Sequence, residues 1–214
     1  MENITADIGD PKPENNTESI AWHWYDLTCP FCYVSNSRNK ILKENGFNVI
    51  ALPFQAHPEV PAEGVHMGQR TGPMYEILEK EAKESDLPLN WPARLPNSRY
   101  ALALAEQIRR HKPHLFSDVK DRLYAAHFAL NEDLGSKEVV HNCLAIFGIS
   151  AQEINHWLEN DTALNDLRNS EYSAQLAGLR GTPAWILSNQ IIPGLQSRTY
   201  FQNLKTSDNT GSST

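Results

Sequence analysis

Long hydrophobic runs are missing from this sequence of 214 residues, and none of its apolar stretches approaches the length needed to cross a bilayer. A membrane-spanning protein is therefore not expected. Basic residues are also in deficit, because 19 Lys and Arg stand against 26 Asp and Glu and leave a formal charge of -7. Phosphate binding requires clustered cations, so this balance argues against a nucleic-acid partner. The one dense basic group, Arg109, Arg110 and Lys112, is interpreted as the solvated face of a helix.

Cysteine is scarce as well, since the chain has only Cys29, Cys32 and Cys143. The first residues show no basic and apolar leader of the secretory type, so we expect a cytosolic location. In the cytosol a structural disulfide framework is disfavoured, and a CxxC motif is more often catalytic or metal-binding. Cys143 stands alone within a helical pattern and is predicted to be a small buried residue.

The distribution of polar and apolar residues predicts one domain with a large insertion. Residues 1–18 and 205–214 are polar and are predicted to be disordered tails. Residues 19–57 are predicted to form a βαβ unit, and residues 179–204 a ββα unit. Between these units, start and stop signals predict an all-helical insertion over residues 58–178.

The βαβ unit is predicted from two apolar runs on either side of a helical pattern. The aromatic run 20–27 and the run 47–55 have the length and composition of strands. Residues 33–46 between them predict a helix that ends at Gly46. In the ββα unit, Ser188 and Asn189 separate two short apolar runs and predict a hairpin.

Within the insertion, residues suited to helix N-termini recur at intervals. Ser136 is predicted to cap one helix, and Ser150 with Glu153 forms a capping box for another. Asp161 is predicted to cap the last helix of the insertion. His127 lies among apolar residues and is predicted to be a buried histidine rather than a metal ligand.

Cys29 and Cys32 follow a predicted strand and precede a predicted helix, which is a position that activates a thiol. Free N–H groups and the positive end of the helix dipole would lower the pKa of Cys29. Pro30 suits the first helical position, since it has no N–H to leave unpaired. Cys32, one turn further along, would be more buried and could resolve a mixed disulfide formed on Cys29.

Two other interpretations of the pair stay open, a zinc site and two inert core thiols. A structural zinc site needs four ligands. The nearest candidates, His141 and Cys143, are two residues apart on a predicted helix and do not face the same way. The histidines show no metal spacing, and we predict no metal site.

Pro183 lies at the entrance of a predicted strand. A proline there is either a plain boundary residue or a cis peptide bond, and the residues alone favour the plain boundary.

Five stretches in order carry a likeness to a known family, namely TCPFCYV (28–34), LPFQAHPEVPAEG (52–64), LPNSRYALALAEQ (95–107), AGLRGTPAWIL (177–187) and IIPGLQS (191–197). Together they resemble the DsbA-like thioredoxin-fold proteins, specifically the cytosolic FrnE-like branch. That branch is related to 2-hydroxychromene-2-carboxylate isomerases and kappa-class glutathione transferases.

The resemblance implies an α/β thioredoxin fold with a large all-helical insertion. It also implies a thiol–disulfide oxidoreductase or isomerase in which Cys29 attacks and Cys32 resolves, with Pro183 cis and Thr182 offering its backbone to substrate. Such a protein has no bound cofactor beyond a redox-active Cys29–Cys32 disulfide. Its partners would be disulfide-containing proteins, or glutathione and other small thiols, with glutathione as a candidate co-substrate. A monomer or homodimer is expected.

Some positions depart from the family pattern. Phe31 stands where the periplasmic oxidases usually carry His and where the cytosolic branch often carries Trp, so a less extreme oxidant is expected. His57 replaces a frequent Asn, and Thr182 replaces a common Val. Gln196 follows the branch pattern without a mechanism that the sequence suggests.

Two alternative functions stay open beside the dithiol oxidoreductase. One is a glutathione-dependent isomerase or transferase of the sister branches, which typically carry Ser at the position of Cys29. The other is a binding module whose thiols are inert or hold a metal.

Overall fold

A four-stranded sheet forms the centre of the fold in the computed structural model, which describes residues 19–206. Its strand order is β2-β1-β5-β6, with β1 and β2 parallel and the other two pairs antiparallel. The strands found in this part of the chain are β1 (Ile20–Tyr25), β2 (Asn48–Pro53), β3 (Val65–His66), β4 (Arg94–Leu95), β5 (Ala184–Leu187) and β6 (Gln190–Pro193).

Helices cover both faces of this sheet and make up most of the segment between β2 and β5. The α-helices are α1 (Pro30–Ser35), α2 (Ser37–Glu44), α3 (Pro73–Glu84), α4 (Arg99–His111), α5 (Pro113–Phe128), α6 (Lys137–Ala145), α7 (Ala151–Leu158), α8 (Thr162–Leu176) and α9 (Arg198–Gln202). The βαβ and ββα units are therefore present on either side of a helical segment. That segment also contains a two-residue antiparallel ladder between β3 and β4, which the sequence analysis did not anticipate.

The predicted tails fall largely outside the described residues, which exclude 1–18 and 207–214. Thr206 is buried against the turn at Gly46. Asn45 holds this last segment, because its side-chain amide donates to the carbonyls of Phe201 and Leu204 at 3.0 and 2.9 Å.

Strand β1 is buried on both faces, in keeping with a composition that is apolar or aromatic apart from His23. Trp24 packs with α8 and the residues before β5 on one face, while Tyr25 points into the main core on the other. The Trp24 indole donates to the carbonyl of Ser170 at 3.3 Å. The Ser170 hydroxyl donates to the carbonyl of Pro53 at 2.5 Å. These two buried hydrogen bonds join the sheet to the last helix of the insertion.

The helix predicted over 33–46 begins earlier, at Pro30, and is divided at Asn36. Backbone hydrogen bonds on either side of Asn36 span three residues instead of four, which tightens the turn there. The predicted end at Gly46 is confirmed, since Gly46 has a φ of 90° and the N–H of Phe47 donates to Leu42.

The helix caps of the insertion agree with the sequence with one exception. Ser136 accepts from the N–H of Val139, and Ser150 and Glu153 form the complete capping box. The cap predicted at Asp161 is wrong, because Asp161 has a φ of 58° and its side chain accepts no hydrogen bond from α8. The Thr162 hydroxyl instead donates to the carbonyl of Glu159 at 2.8 Å.

The predicted hairpin is confirmed between β5 and β6. Ser188 and Asn189 both have positive φ, at 47° and 65°, which is the conformation of a two-residue type I′ turn.

Candidate active site

Cys29 and Cys32 are placed differently although they are three residues apart. Cys29 is the N-cap residue of α1 and is half-buried, with Pro30 at the first helical position. Cys32 has no exposed surface. Both are free thiols. The outer sulfur can therefore meet a substrate, whereas the inner one can meet only what is bound to Cys29.

The two thiols also differ in acidity. The pKa of Cys29 is lowered chiefly by a hydrogen bond from the Cys32 side chain, with help from the Cys32 backbone and the Thr182 side chain, against the opposing effect of burial. The pKa of Cys32 is raised well above its ordinary value by burial, and further by its neighbour Cys29. At a given pH the thiolate accordingly belongs to Cys29, which is the form that attacks disulfides.

The Thr182–Pro183 peptide bond is cis and lies against Cys29. The resemblance implied this geometry, whereas the residues alone favoured a plain boundary. The Cys29 thiol donates to the carbonyl of Thr182 at 3.4 Å. A hollow of about 360 Å³ adjoins the cis bond and is lined by Gly178, Leu179, Arg180, Gly181, Thr182, Pro183, Ala184, Ile191, Pro193 and Gly194. A substrate chain lying in this hollow would run past Thr182 and so past Cys29.

Asp26 is a site residue that the sequence analysis missed. Its carboxylate is almost fully buried and accepts from the N–H of Thr28 at 2.9 Å and from the N–H of Ala56 at 2.8 Å. Its own backbone N–H lies 3.5 Å from the sulfur of Cys32, and its carbonyl accepts from the N–H of Cys29. Burial raises the pKa of Asp26. A charged residue inside the apolar run before the motif was the signal that could have found it.

Aromatic rings and one lysine lie behind Cys32. Tyr25 and Tyr124 are buried, with ring centroids 6.4 Å apart. The Lys120 ammonium lies 5.0 Å from the centre of the Tyr25 ring and 5.6 Å from that of Phe116. Nothing in the sequence pattern distinguished Lys120 from the other helix lysines.

The remaining residues named from the sequence have mostly local roles. Phe31 is partly buried and packs against the main core. Exposed His57 pairs with Glu59 at 2.9 Å. Gln196 donates from its side chain to the carbonyl of Pro193, and its own carbonyl accepts from buried Arg38.

Two predictions of burial are confirmed and one prediction of exposure is wrong. Cys143 and His127 are buried, and burial lowers the pKa of His127 to about 4. The basic group at the end of α4 is not a solvated face. Arg109 and Arg110 are mostly covered, and both pair with fully buried Glu106 at 2.8 Å. These cations are neutralised by protein carboxylates, which argues against a phosphate site.

Metal binding and membrane insertion find no structural support in the described part of the chain. Residues 19–206 contain no group of three His, Cys, Asp or Glu side chains that could hold a metal ion. Over the same residues, no helix combines the length and the apolar surface that crossing a bilayer requires.

A βαβ and a ββα unit that place a CxxC motif at a helix N-terminus beside a cis-proline define a thioredoxin-fold protein with a dithiol site. Within that class the chain belongs to the DSBA-like thioredoxin domain family, because residues 22–204 match the sequence pattern of that family. The match confirms the family resemblance seen in the five stretches and the predicted fold class. A search of the curated proteins found no significant match.

Solved structures of this class are similar across most of the chain. A probable DsbA oxidoreductase from Streptomyces coelicolor has a TM-score of 0.75 and 19% identity, over 86% of this chain and 87% of that one. A 2-hydroxychromene-2-carboxylate isomerase has a TM-score of 0.66 and 17% identity, over 82% and 88%. The cytosolic disulfide reductase DsbM from Pseudomonas aeruginosa, solved with glutathione, has a TM-score of 0.60 and 16% identity, over 86% and 93%. At these identities the likeness establishes the fold.

Proposed function

We propose that this protein is a thiol–disulfide oxidoreductase or isomerase in which Cys29 is the nucleophile and Cys32 the resolving thiol. The observation that carries the proposal is the asymmetry of the pair. Cys29 is only partly buried, has a lowered pKa and touches the cis-proline segment, while Cys32 is fully buried with a raised pKa.

The reaction consists of two exchanges. The Cys29 thiolate attacks one sulfur of a substrate disulfide, so that a bond to that sulfur forms and the other substrate sulfur leaves as a thiolate. Cys32 then loses its proton and attacks the sulfur of Cys29, which releases the second substrate thiolate and leaves a Cys29–Cys32 disulfide. The substrate has gained two electrons and the pair has lost two. Reduction of the pair by two small thiols closes the cycle, and the same steps in reverse oxidise a substrate dithiol.

The substrates that we propose are disulfide-containing proteins or small disulfides, with glutathione as co-substrate. The hollow beside Thr182 and Pro183 has room for an extended chain. Binding of an extended peptide beside a strand is a general mode of peptide recognition. The glutathione in the similar disulfide reductase makes glutathione a reasonable partner here. The FrnE-like branch and a reducing, cytosolic compartment are part of the same proposal, although periplasmic proteins also occur among the similar structures.

A glutathione-dependent isomerase is the second candidate, because a 2-hydroxychromene-2-carboxylate isomerase shares the fold. The buried thiol of Cys32 counts against it, since such an isomerase has no need of a resolving thiol. Full turnover of a small glutathione-dependent substrate by a Cys32→Ser variant would favour this second candidate.

The deciding experiment is the redox equilibrium of the pair in graded glutathione buffers, read by mass after alkylation in a Cys143→Ser background. A reversible two-electron transition between the dithiol and the Cys29–Cys32 disulfide is expected. The Cys29→Ser variant should lose both this transition and disulfide exchange, whereas Cys143→Ser alone should retain them. If no internal disulfide forms at any ratio of reduced to oxidised glutathione, the proposal is wrong.

A further inference from the structure

A cavity of about 520 Å³ lies between the α1–α2 helices and α5, and neither cysteine of the motif lines it. This volume is within the range of small-molecule sites in proteins. Much of its wall is apolar or aromatic. The residues that provide this part of the wall are Tyr33, Val49, Ala51, Leu87, Phe116 and Tyr124.

Lys120 lines the same cavity and is only 4% exposed. Its ammonium lies over the rings of Tyr25 and Phe116, and it makes no hydrogen bond or ion pair with another residue of the segment 19–206. Burial lowers the pKa of Lys120 to about 8, so at pH 7 most molecules still carry the charge. A buried ammonium without an anionic partner is costly, and ring faces compensate only part of the lost hydration.

The other charges at the cavity reinforce its preference for an anion. Lys40 and Lys43 also line it, while the one carboxylate in the wall is that of Asp121. The Asp121 carboxylate accepts a hydrogen bond of 2.6 Å from the side-chain amide of Asn36, and it acts on Lys120 through its charge without forming an ion pair with it. The lining therefore carries three cations against one anion, in a chain whose formal charge is -7.

We propose that this cavity is a binding site for a small apolar monocarboxylate, with the carboxylate on the Lys120 ammonium and an aromatic or short aliphatic body against Phe116 and Tyr124. Neither Cys29 nor Cys32 lines this cavity, so the proposal does not depend on the proposed redox function. Its specificity would come from the charge of Lys120, and its affinity from burial of the apolar body.

The test uses 4-phenylbutanoate as the probe and its neutral amide, 4-phenylbutanamide, as the matched comparison, both titrated calorimetrically into the full chain. Wild-type protein is expected to bind the acid at least about tenfold more tightly than the amide, as a charge-assisted hydrogen bond provides. Lys120→Met should abolish this preference by weakening binding of the acid alone. Lys80→Met is the control, because the Lys80 side chain is 76% exposed and does not line the cavity, and it should bind as wild type does.

A second variant tests whether the probe binds in this cavity, and it keeps the proposal testable if Lys120→Met fails to fold. Ala125 lines the cavity from a half-buried position on α5, so Ala125→Phe fills the space while leaving Lys120 in place. It should weaken binding of both probes, and Cys29→Ser should leave binding unchanged. Equal affinity of the wild type for acid and amide, no binding of either at millimolar concentration, or unchanged binding by Ala125→Phe would each overturn the proposal. Loss of binding in Cys29→Ser would show that the probe binds at the thiol site instead, and this result would also overturn the proposal.

Discussion

Cys29 and Cys32 show how a short spacing on a helix produces two different thiols. The first residue of the motif is outside the helix and reachable, while the second faces the core. Because the Cys32 side chain favours the ionised form of the neighbouring sulfur, the inner residue lowers the pKa of Cys29 before any chemistry begins.

This relation predicts a difference between two substitutions of Cys32. Cys32→Ala removes the donor and should raise the pH midpoint of Cys29 alkylation, whereas Cys32→Ser keeps a hydroxyl donor and should remain closer to wild type. The rate of iodoacetamide labelling against pH, in a Cys143→Ser background, measures the midpoint. An unchanged midpoint in Cys32→Ala would contradict the role assigned to this hydrogen bond.

The dithiol could be found from the sequence because its residues are adjacent and their types are restricted. Asp26 could not be assigned in the same way. Its partner Ala56 comes from beyond the second strand of the sheet, 30 residues along the chain. Lys120 was equally hidden, since its burial depends on how α5 packs against Tyr25 and Phe116 rather than on its neighbours in sequence.

At the scale of elements, Arg38 joins α2 to α3 and to the loop before α9. Its side chain has no exposed surface, donates to Glu81 at 2.8 Å, and donates to the carbonyl of Gln196 at 3.1 Å. Gln196 is thus part of the connection that holds the ββα unit against the rest of the fold.

Replacing Arg38 by Leu should destabilise the protein by about 3 kcal/mol, because a buried ion pair loses one partner. Arg198 also contacts Glu81, at 3.3 Å, and keeps the loss from being larger. Lys40→Leu on the same helix is the control and should change the unfolding free energy by no more than about 0.5 kcal/mol. Urea unfolding of the two variants gives the comparison, and equal stabilities would contradict the role of Arg38.

Elements with local signals were predictable, and those that depend on distant contacts were not. The capping box of Ser150 and the turn at Ser188 and Asn189 are encoded by a few neighbouring residues. The ladder between β3 and β4 joins segments about 30 residues apart through two residues each, which is too short for any periodicity to appear. Asp161 failed as a cap because its backbone is left-handed, and the sequence does not show that conformation.

At the scale of the whole molecule, the buried charge of Lys120 links stability to pH. Its pKa of about 8 in the folded chain is below the ordinary value of 10.5, so the unfolded chain binds the proton more strongly between these values. The cost of burying the charge is fully present below pH 8 and disappears as pH rises toward the ordinary value. Cys32, Asp121 and Lys43 are the charged or titratable groups that act on it.

Lys120→Met should therefore stabilise the protein at pH 7, by up to about 3 kcal/mol. The advantage should shrink as pH rises from 8 toward 10.5, where the wild-type lysine becomes neutral in both states. Chemical unfolding of wild type and variant at several pH values tests this, with Lys40→Met as a control that should show no such trend. A pH-independent difference would mean that packing, rather than charge, separates the two proteins.

The overall architecture was predictable because strand and helix patterns occur in separate blocks of the chain. The order of blocks fixes a βαβ unit, a helical segment and a ββα unit, and short connections then leave few arrangements of the sheet. The packing of the helical segment on the sheet was not accessible from the sequence, since it depends on side chains such as Trp24 meeting α8.

The hydrogen bonds from Trp24 to Ser170 and from Ser170 to Pro53 have a consequence for how substrates enter. They fasten α8 to both parallel strands within the dry interior. A movement of the helical segment away from the sheet would break both hydrogen bonds in the buried interior, where water cannot replace them. These bonds hold the helical segment in place on the sheet, so under the proposed function a substrate chain would have to fit the site without displacing that segment.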